Sequence, residues 1–291
     1  MLEYALLGGF LFGLYFSLVG LGLNLMFGVM RIVNLAHGDF VMLGGFTAYW
    51  LFTLFHLHPL ITVVIAFVGF TLIGVPMYYL GAWRLVTARD PEMLSLILFF
   101  GLSQVIEALA TVVFGTSQYS IPGVVLGSKP WHFFGQVFPA AWMIGGIASL
   151  VCIALLYIYL YHTRLGYLTR AVMVSREEAL STGINVHFVS AVAFGVSLGL
   201  AAVAGVFAPF MLGSILPAMG ADLNITAFAV IVVGGLGLPL GTVLGGIIYG
   251  VGLMFMQTYF SSWANLLPNL LLIFILLVRP TGLLGKRVRL A

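Results

Sequence analysis

Four side chains able to carry proton or ion chemistry fall close together: Arg31, Asn34, His37 and Asp39. They sit in G-V-M-R-I-V-N-L-A-H-G-D at 28–39, with long apolar runs on both sides. A guanidinium, a carboxamide, an imidazole and a carboxylate can pair with one another, hold a polar solute or pass a proton. At membrane depth such groups are costly, so they face a pathway or another protein surface. Glu107 raises the same question, because it interrupts the apolar run 94–114 with Ser103 and Gln104 one turn earlier. A carboxylate there faces the bundle interior, a cavity or a partner, or makes a structural hydrogen bond within the bundle. His56 and His58 precede Pro59 at an expected turn and read as a solvated pair. No His/Cys/Asp/Glu group has metal-ligand spacing, and no serine sits beside a base motif. There is no G-x-x-x-x-G-K-[S/T] phosphate loop. The sequence therefore assigns no catalytic residue, metal or cofactor.

The elements that hold these groups are membrane helices. Hydrophobic residues make up 62% of the 291-residue chain and charged residues 7%, against roughly 25% charged in a soluble domain. Mean hydropathy is +1.19. Apolar runs near 5–27, 40–56, 60–81, 94–114, 139–161, 188–212, 242–260 and 263–279 are each of a length to span a bilayer. The first run has no basic segment before it and reads as a span rather than a cleavable leader. The lone Cys152 permits no internal disulfide. The fold class expected is all-α: a polytopic membrane protein of about eight or nine spans, residues 1–291 forming one domain, with broken or re-entrant helices.

Charge placement orients the spans. Arg84 with Arg89, then Arg164, Arg170 and Arg176, then Arg279, Lys286, Arg287 and Arg289 form three basic clusters. By the positive-inside rule these are cytoplasmic. Residues 116–139 carry only Lys129 and go outside, as does the amino terminus. Parity then requires the chain between 212 and 263 to enter and leave again. The short apolar run 222–233, cut by G-G-L-G-L-P-L-G at 234–241, can do so as a broken helix at depth or as a tight cytoplasmic turn. Segment 28–39 likewise reads as a kinked, half-buried stretch or as a solvated loop. Small-xxx-small pairs such as Gly9/Gly13 and Gly246/Gly250 permit close helix contact, but so many glycines make them weak evidence for dimerisation.

The loop 162–187 holds a helix signal. Ser175 followed by Glu178 is a capping box, Glu177 and Glu178 suit the positive helix end, and Gly183 can close it in a left-handed turn. Two turns are marginal alone, so this helix packs on its own bundle or docks on a partner.

Four stretches together resemble the permease subunits of branched-chain amino-acid ABC importers. They are G-L-N-L-M-F-G-V-M-R-I-V-N-L-A-H-G-D at 22–39, R-E-E-A-L-S-T-G-I at 176–184, V-I-V-V-G-G-L-G-L-P-L-G-T-V-L-G-G at 230–246 and V-R-P-T-G-L-L-G at 278–285. The likeness covers nearly the whole chain and is closest to the shorter of the two permeases in such systems. The second stretch is similar to the family's E-A-A-x-x-x-G coupling segment, with Glu177, Ala179 and Gly183 at matching offsets and Glu178 replacing the first alanine. The resemblance implies a bacterial inner-membrane complex: a second, usually different permease, two ATP-binding subunits that hydrolyse ATP, and an extracytoplasmic substrate-binding protein. It implies a non-enzymatic role in moving branched-chain amino acids. Arg176, Glu177, Glu178, Ala179 and Gly183 become ATPase-coupling candidates. Asn34, His37, Asp39, Glu107, Gly235 and Gly237 become candidates for the substrate path. A permease for urea or short amides, a stand-alone secondary transporter using Asp39 or Glu107 as an ion site, and a passive channel are the alternatives.

Overall fold

The computed structural model describes residues 1–285 apart from Thr87 and Phe134. The basic residues Lys286, Arg287 and Arg289 lie outside the described residues. Among those described, eight helices are long and apolar enough to cross a membrane. They are α1 (Leu2–Met30), α2 (His37–Phe55), the run Pro59–Val86, α5 (Pro91–Phe114), α6 (Ala140–His162), α9 (Val186–Met211), α11 (Pro239–Tyr259) and the run Ser261–Val278, which ends in α12 (Leu267–Val278). The run Pro59–Val86 consists of α3 (Pro59–Met77), a π-helical turn at Tyr78–Ala82 just after Pro76, and α4 (Trp83–Val86). A shorter helix, α10 (Met219–Gly234), precedes α11. Among the described residues, one two-stranded sheet forms, a hairpin of β1 (Trp131–Phe133) and β2 (Gln136–Phe138), with Gly135 at φ 72° between them.

The core is built around two helices. In α1 and α9, 83% and 89% of the most apolar window is buried, against 17% in Pro59–Val86 and in α5. Glycine explains how α1 can be so enclosed. A Cβ on Gly13 would lie 2.6 Å from the Ile247 Cα, and one on Gly9 equally close to the Val251 Cα. The Gly9/Gly13 and Gly246/Gly250 pairs thus interlock α1 with α11 inside the chain, backbone against backbone. Ser17 Oγ adds hydrogen bonds to the Gly13 and Val243 carbonyls.

Two elements begin inside the bundle rather than at its faces. Arg31 closes α1 in a left-handed conformation (φ 55°), and residues 31–36 turn back into the protein. His37, the first residue of α2, places Nε2 2.9 Å from the Val19 carbonyl. Val19 lies about 16 Å along α1 from its end, at 1.5 Å per residue. From the other side, residues 212–218 dip inward after α9. Ile215 exchanges backbone hydrogen bonds with Tyr119 and touches Gly45, and α10 starts beside the first turn of α2. With 16 residues α10 is about 24 Å long, too short to cross the apolar core alone.

The glycine break joins two helices directly. It is a four-residue turn, Gly235–Leu238, between α10 and α11, with Gly235 at φ 113° and Gly237 at φ 76°. The tail covers it: Leu283 and Leu284 donate backbone hydrogen bonds to the Val233 and Gly234 carbonyls. The chain also turns in toward the bundle at 31–36 and 212–218.

Candidate functional site

The interior ends of α2 and α10 build a polar centre. Gly38 and Gly220 allow the two helices to cross: a Cβ on Gly38 would fall 2.0 Å from the Gly220 carbonyl oxygen, and one on Gly220 equally near Asp39 Oδ1. Asp39 is fully buried, and neither carboxylate oxygen has a hydrogen-bond partner in the protein. It sits in the first turn of α2, where the helix dipole favours negative charge. Ser103 and Glu107 face it from α5, and Asn224 of α10 lies against Gly38 with Oδ1 also unpaired. His37 is fully buried, bonded through Nε2 to Val19, with Nδ1 unpaired. Asn34 caps the turn before α2 by accepting from the Ala36 N–H at 2.9 Å, leaving Nδ2 without a partner.

Of the residues singled out in the sequence, Asp39 and Glu107 come together here, whereas the His37 ring is turned to Val19 of α1 and Asn34 caps the turn before α2. Glu107 is half-buried at the edge of α5. Gly235 and Gly237 lie elsewhere, at the turn under the tail. There the Gly237 N–H donates to Asn24 Oδ1 at 2.6 Å. The sequence alone does not single out Gly220, Asn224 or Asn24. For the two asparagines the available signal was a carboxamide inside an apolar helix.

Near that turn, Arg31 stands between two clefts. One, of about 460 Å³, is walled by Phe228, Val232, Leu238 and Leu276. The other, of about 600 Å³, is walled by Asp90, Glu92 and Leu96. Among the described residues, Arg31 is the only cation lining either.

The loop helix forms as its caps require. It is α8 (Arg176–Ser181), with Ser175 Oγ accepting from the Glu178 N–H at 3.3 Å. Gly183 takes φ 83° and donates to the Leu180 carbonyl, and Ile184 donates to Ala179. Before it runs α7 (Arg164–Val174), whose Arg170 stacks on Tyr161 and Tyr167 and donates to the Leu160 carbonyl. The two faces of α8 differ. Ala179 is 4% exposed and packs inward. Arg176 lies against Tyr78 of the π-turn, whose hydroxyl meets His187 Nδ1 at the start of α9. Glu177, Glu178, Leu180 and Ser181 are exposed. Thus α8 is pinned on its inner side to the helices Pro59–Val86 and α9, and offers a small acidic, partly apolar outer face.

Residues 5–276 match the family described as "Branched-chain amino acid transport system / permease component". The chain is 27% identical to the "High-affinity branched-chain amino acid transport system permease protein LivH" of Salmonella typhimurium, over 96% of this chain and 94% of that protein. It is 27% identical to the "High-affinity branched-chain amino acid transport system permease protein BraD" of Pseudomonas aeruginosa, over 97% and 95%. It is also 27% identical to the "Probable branched-chain amino acid transport permease protein LivH" of Methanocaldococcus jannaschii, over 96% and 91%. No solved structure matches the chain significantly. A multi-pass bundle, a capped loop helix and a match over nearly its full length make this chain a member of the permease-component family of branched-chain amino acid transport systems.

Proposed function

We propose that the chain is the membrane permease of an ABC importer that carries branched-chain amino acids across a bacterial inner membrane. The observation that carries this reading is α8, ordered by caps at both ends and presenting Glu177, Glu178 and Leu180 away from the bundle. Its partner surface belongs to an ATP-binding subunit, because this sequence has no phosphate loop of its own. Two such ATPases, a second and different permease, and an external binding protein complete the complex. The basic end faces the cytoplasm and the amino terminus lies outside.

The mechanism follows from the anchoring of α8. Nucleotide binding moves the ATPase, which pushes α8 against Tyr78 and the start of α9. Helix α9 packs along α2, with the Gly205 and Gly44 backbones in close contact with their neighbours, so a shift of α9 reaches the interior start of α2. There Asn34, His37, Asp39 and Glu107 border the substrate path. Asp39, wedged against Gly220, holds α2 and α10 in one arrangement, and the alternate arrangement opens the other side. This is a two-state shift driven by differential binding at a distant subunit.

The test is a reconstituted complex in vesicles, with uptake of leucine, valine, urea and a sugar measured in turn. Saturable ATP-dependent uptake of leucine and valine is expected. A photo-crosslinker at Leu180, 50% exposed, should capture the ATPase. Uptake without any ATPase would instead mean a secondary transporter or a channel.

A further inference from the structure

Exposed polar residues inside membrane spans mark surfaces that lipid does not cover. The outward faces of α3 and α6 are apolar, lined by residues such as Val64, Leu72, Leu150 and Leu155. By contrast, Asp222 of α10 and Asn265 and Asn269 of the last span are exposed within or beside their helices. These three side chains converge on one cleft between α10, α11 and the last span, joined by the hydroxyls of Thr226 and Tyr249, which lie 3.5 Å apart. Its volume is about 250 Å³, room for roughly eight waters at ~30 Å³ each, or for one leucine-sized solute. The Tyr249 ring packs edge-on against Phe16, midway along α1, so the cleft reaches into the middle of the bundle. It lies away from the basic end, since α12 runs from here to Arg279.

From this geometry we infer that the cleft is a transit subsite for a zwitterionic α-amino acid, a proposal that rests on the importer reading above. The chemistry is complementary group by group. Asp222, in the first turn of α10 where the helix dipole favours an acceptor, accepts from the solute ammonium. The carboxamide N–H groups of Asn265 and Asn269 donate to its carboxylate. Ile225 and Leu253 supply an apolar wall for the side chain. Both charged ends of the solute are recognised, whereas a fatty acid or an alkylamine satisfies only one. The site is open on one side, which suits a solute that must leave again.

The experiment uses the assembled complex in vesicles with Cys152→Ala as background and Ile225→Cys as reporter. N-ethylmaleimide should label the reporter, and millimolar leucine should slow labelling at least threefold. 4-Methylpentanoate, which lacks the ammonium, and 3-methylbutylamine, which lacks the carboxylate, should give no protection. Adding Asp222→Asn should abolish leucine protection, and Asp222→Glu should restore part of it. A Leu72→Cys control on the lipid face should label independently of leucine. An unreactive Ile225→Cys, meaning a dry contact with another subunit, would overturn the proposal. So would equal protection by all three solutes, or protection that survives Asp222→Asn. Leucine uptake without leucine protection sinks the subsite alone, whereas absence of leucine uptake by the wild-type complex sinks the importer reading with it.

Discussion

Replacing Gly183 isolates the contribution of α8 to coupling. Gly183 sits at φ 83° with nothing within 4 Å of the position a Cβ would take. An added methyl group therefore meets no neighbour, and the whole effect of Gly183→Ala is conformational. A left-handed residue with a Cβ costs about 1–2 kcal/mol relative to glycine, which is a factor of roughly 5–30 in a local equilibrium. A six-residue helix has almost no reserve against such a loss, so the penalty falls on the order of α8 and not on the spans. If only the ordered form engages the ATPase, apparent coupling falls by the lost fraction. The expected result is a several-fold drop in ATP-dependent uptake in vesicles, with unchanged assembly and an unchanged melting temperature of the bundle. Gly183→Asn, whose side chain tolerates the left-handed region, should fall between alanine and glycine. Wild-type uptake by Gly183→Ala would refute the argument. Equal impairment by alanine and asparagine would also refute it, as would a melting temperature that falls in step with uptake.

Asp39→Leu should impair uptake more than it lowers the amount of assembled complex; normal uptake by the Asp39→Leu, His37→Leu double variant would reduce this centre to a structural feature. Gly220→Ala places a methyl group against the Asp39 carboxylate and should destabilise the protein by about 1–3 kcal/mol, read as a lower melting temperature, with Gly69→Ala, where nothing lies within 4 Å, as the harmless comparison. Asn24→Leu removes the acceptor of the Gly237 N–H and should cost about 1–3 kcal/mol; faster thiol labelling of Leu238→Cys would register the loosened turn, and an unchanged rate would mean that the tail alone holds it.

The spans were legible because twenty apolar residues in a row admit few other readings. Both caps of α8 were legible too, since Ser175, Glu178 and Gly183 act through local backbone geometry. Their consequence for Ala179 was not: a six-residue helix has too few positions to show which face is buried, and only tertiary packing turns Ala179 inward. Segment 28–39 announced a break through Asn34 and Gly38, but the depth of α2 depends on His37 meeting Val19, a long-range contact. Residues 212–218 were harder still. Leu-Gly-Ser-Ile-Leu-Pro reads as an ordinary turn, and only its pairing with Tyr119 reveals the inward dip. The amphipathic α7 was overlooked because its apolar positions are diluted by Arg164 and Arg170. The glycine pairs were weak signals on their own, and their role inside the chain needed the register of α1 against α11.

That seam also sets a schedule for biogenesis. Helix α1 leaves the ribosome well before α11, which begins at Pro239 and fills its glycine groove. At about 5–20 residues per second, the roughly 210 intervening residues take on the order of 10–40 s. Throughout that interval Gly9 and Gly13 face lipid or some temporary occupant. A newborn α1 is thus an unclosed socket in the membrane, open to any passing helix with small residues at the right spacing. The bulky Phe12 and Phe16 beside the groove narrow the set of helices that fit, and a chain truncated before residue 239 should be recognised by membrane proteases as an orphan.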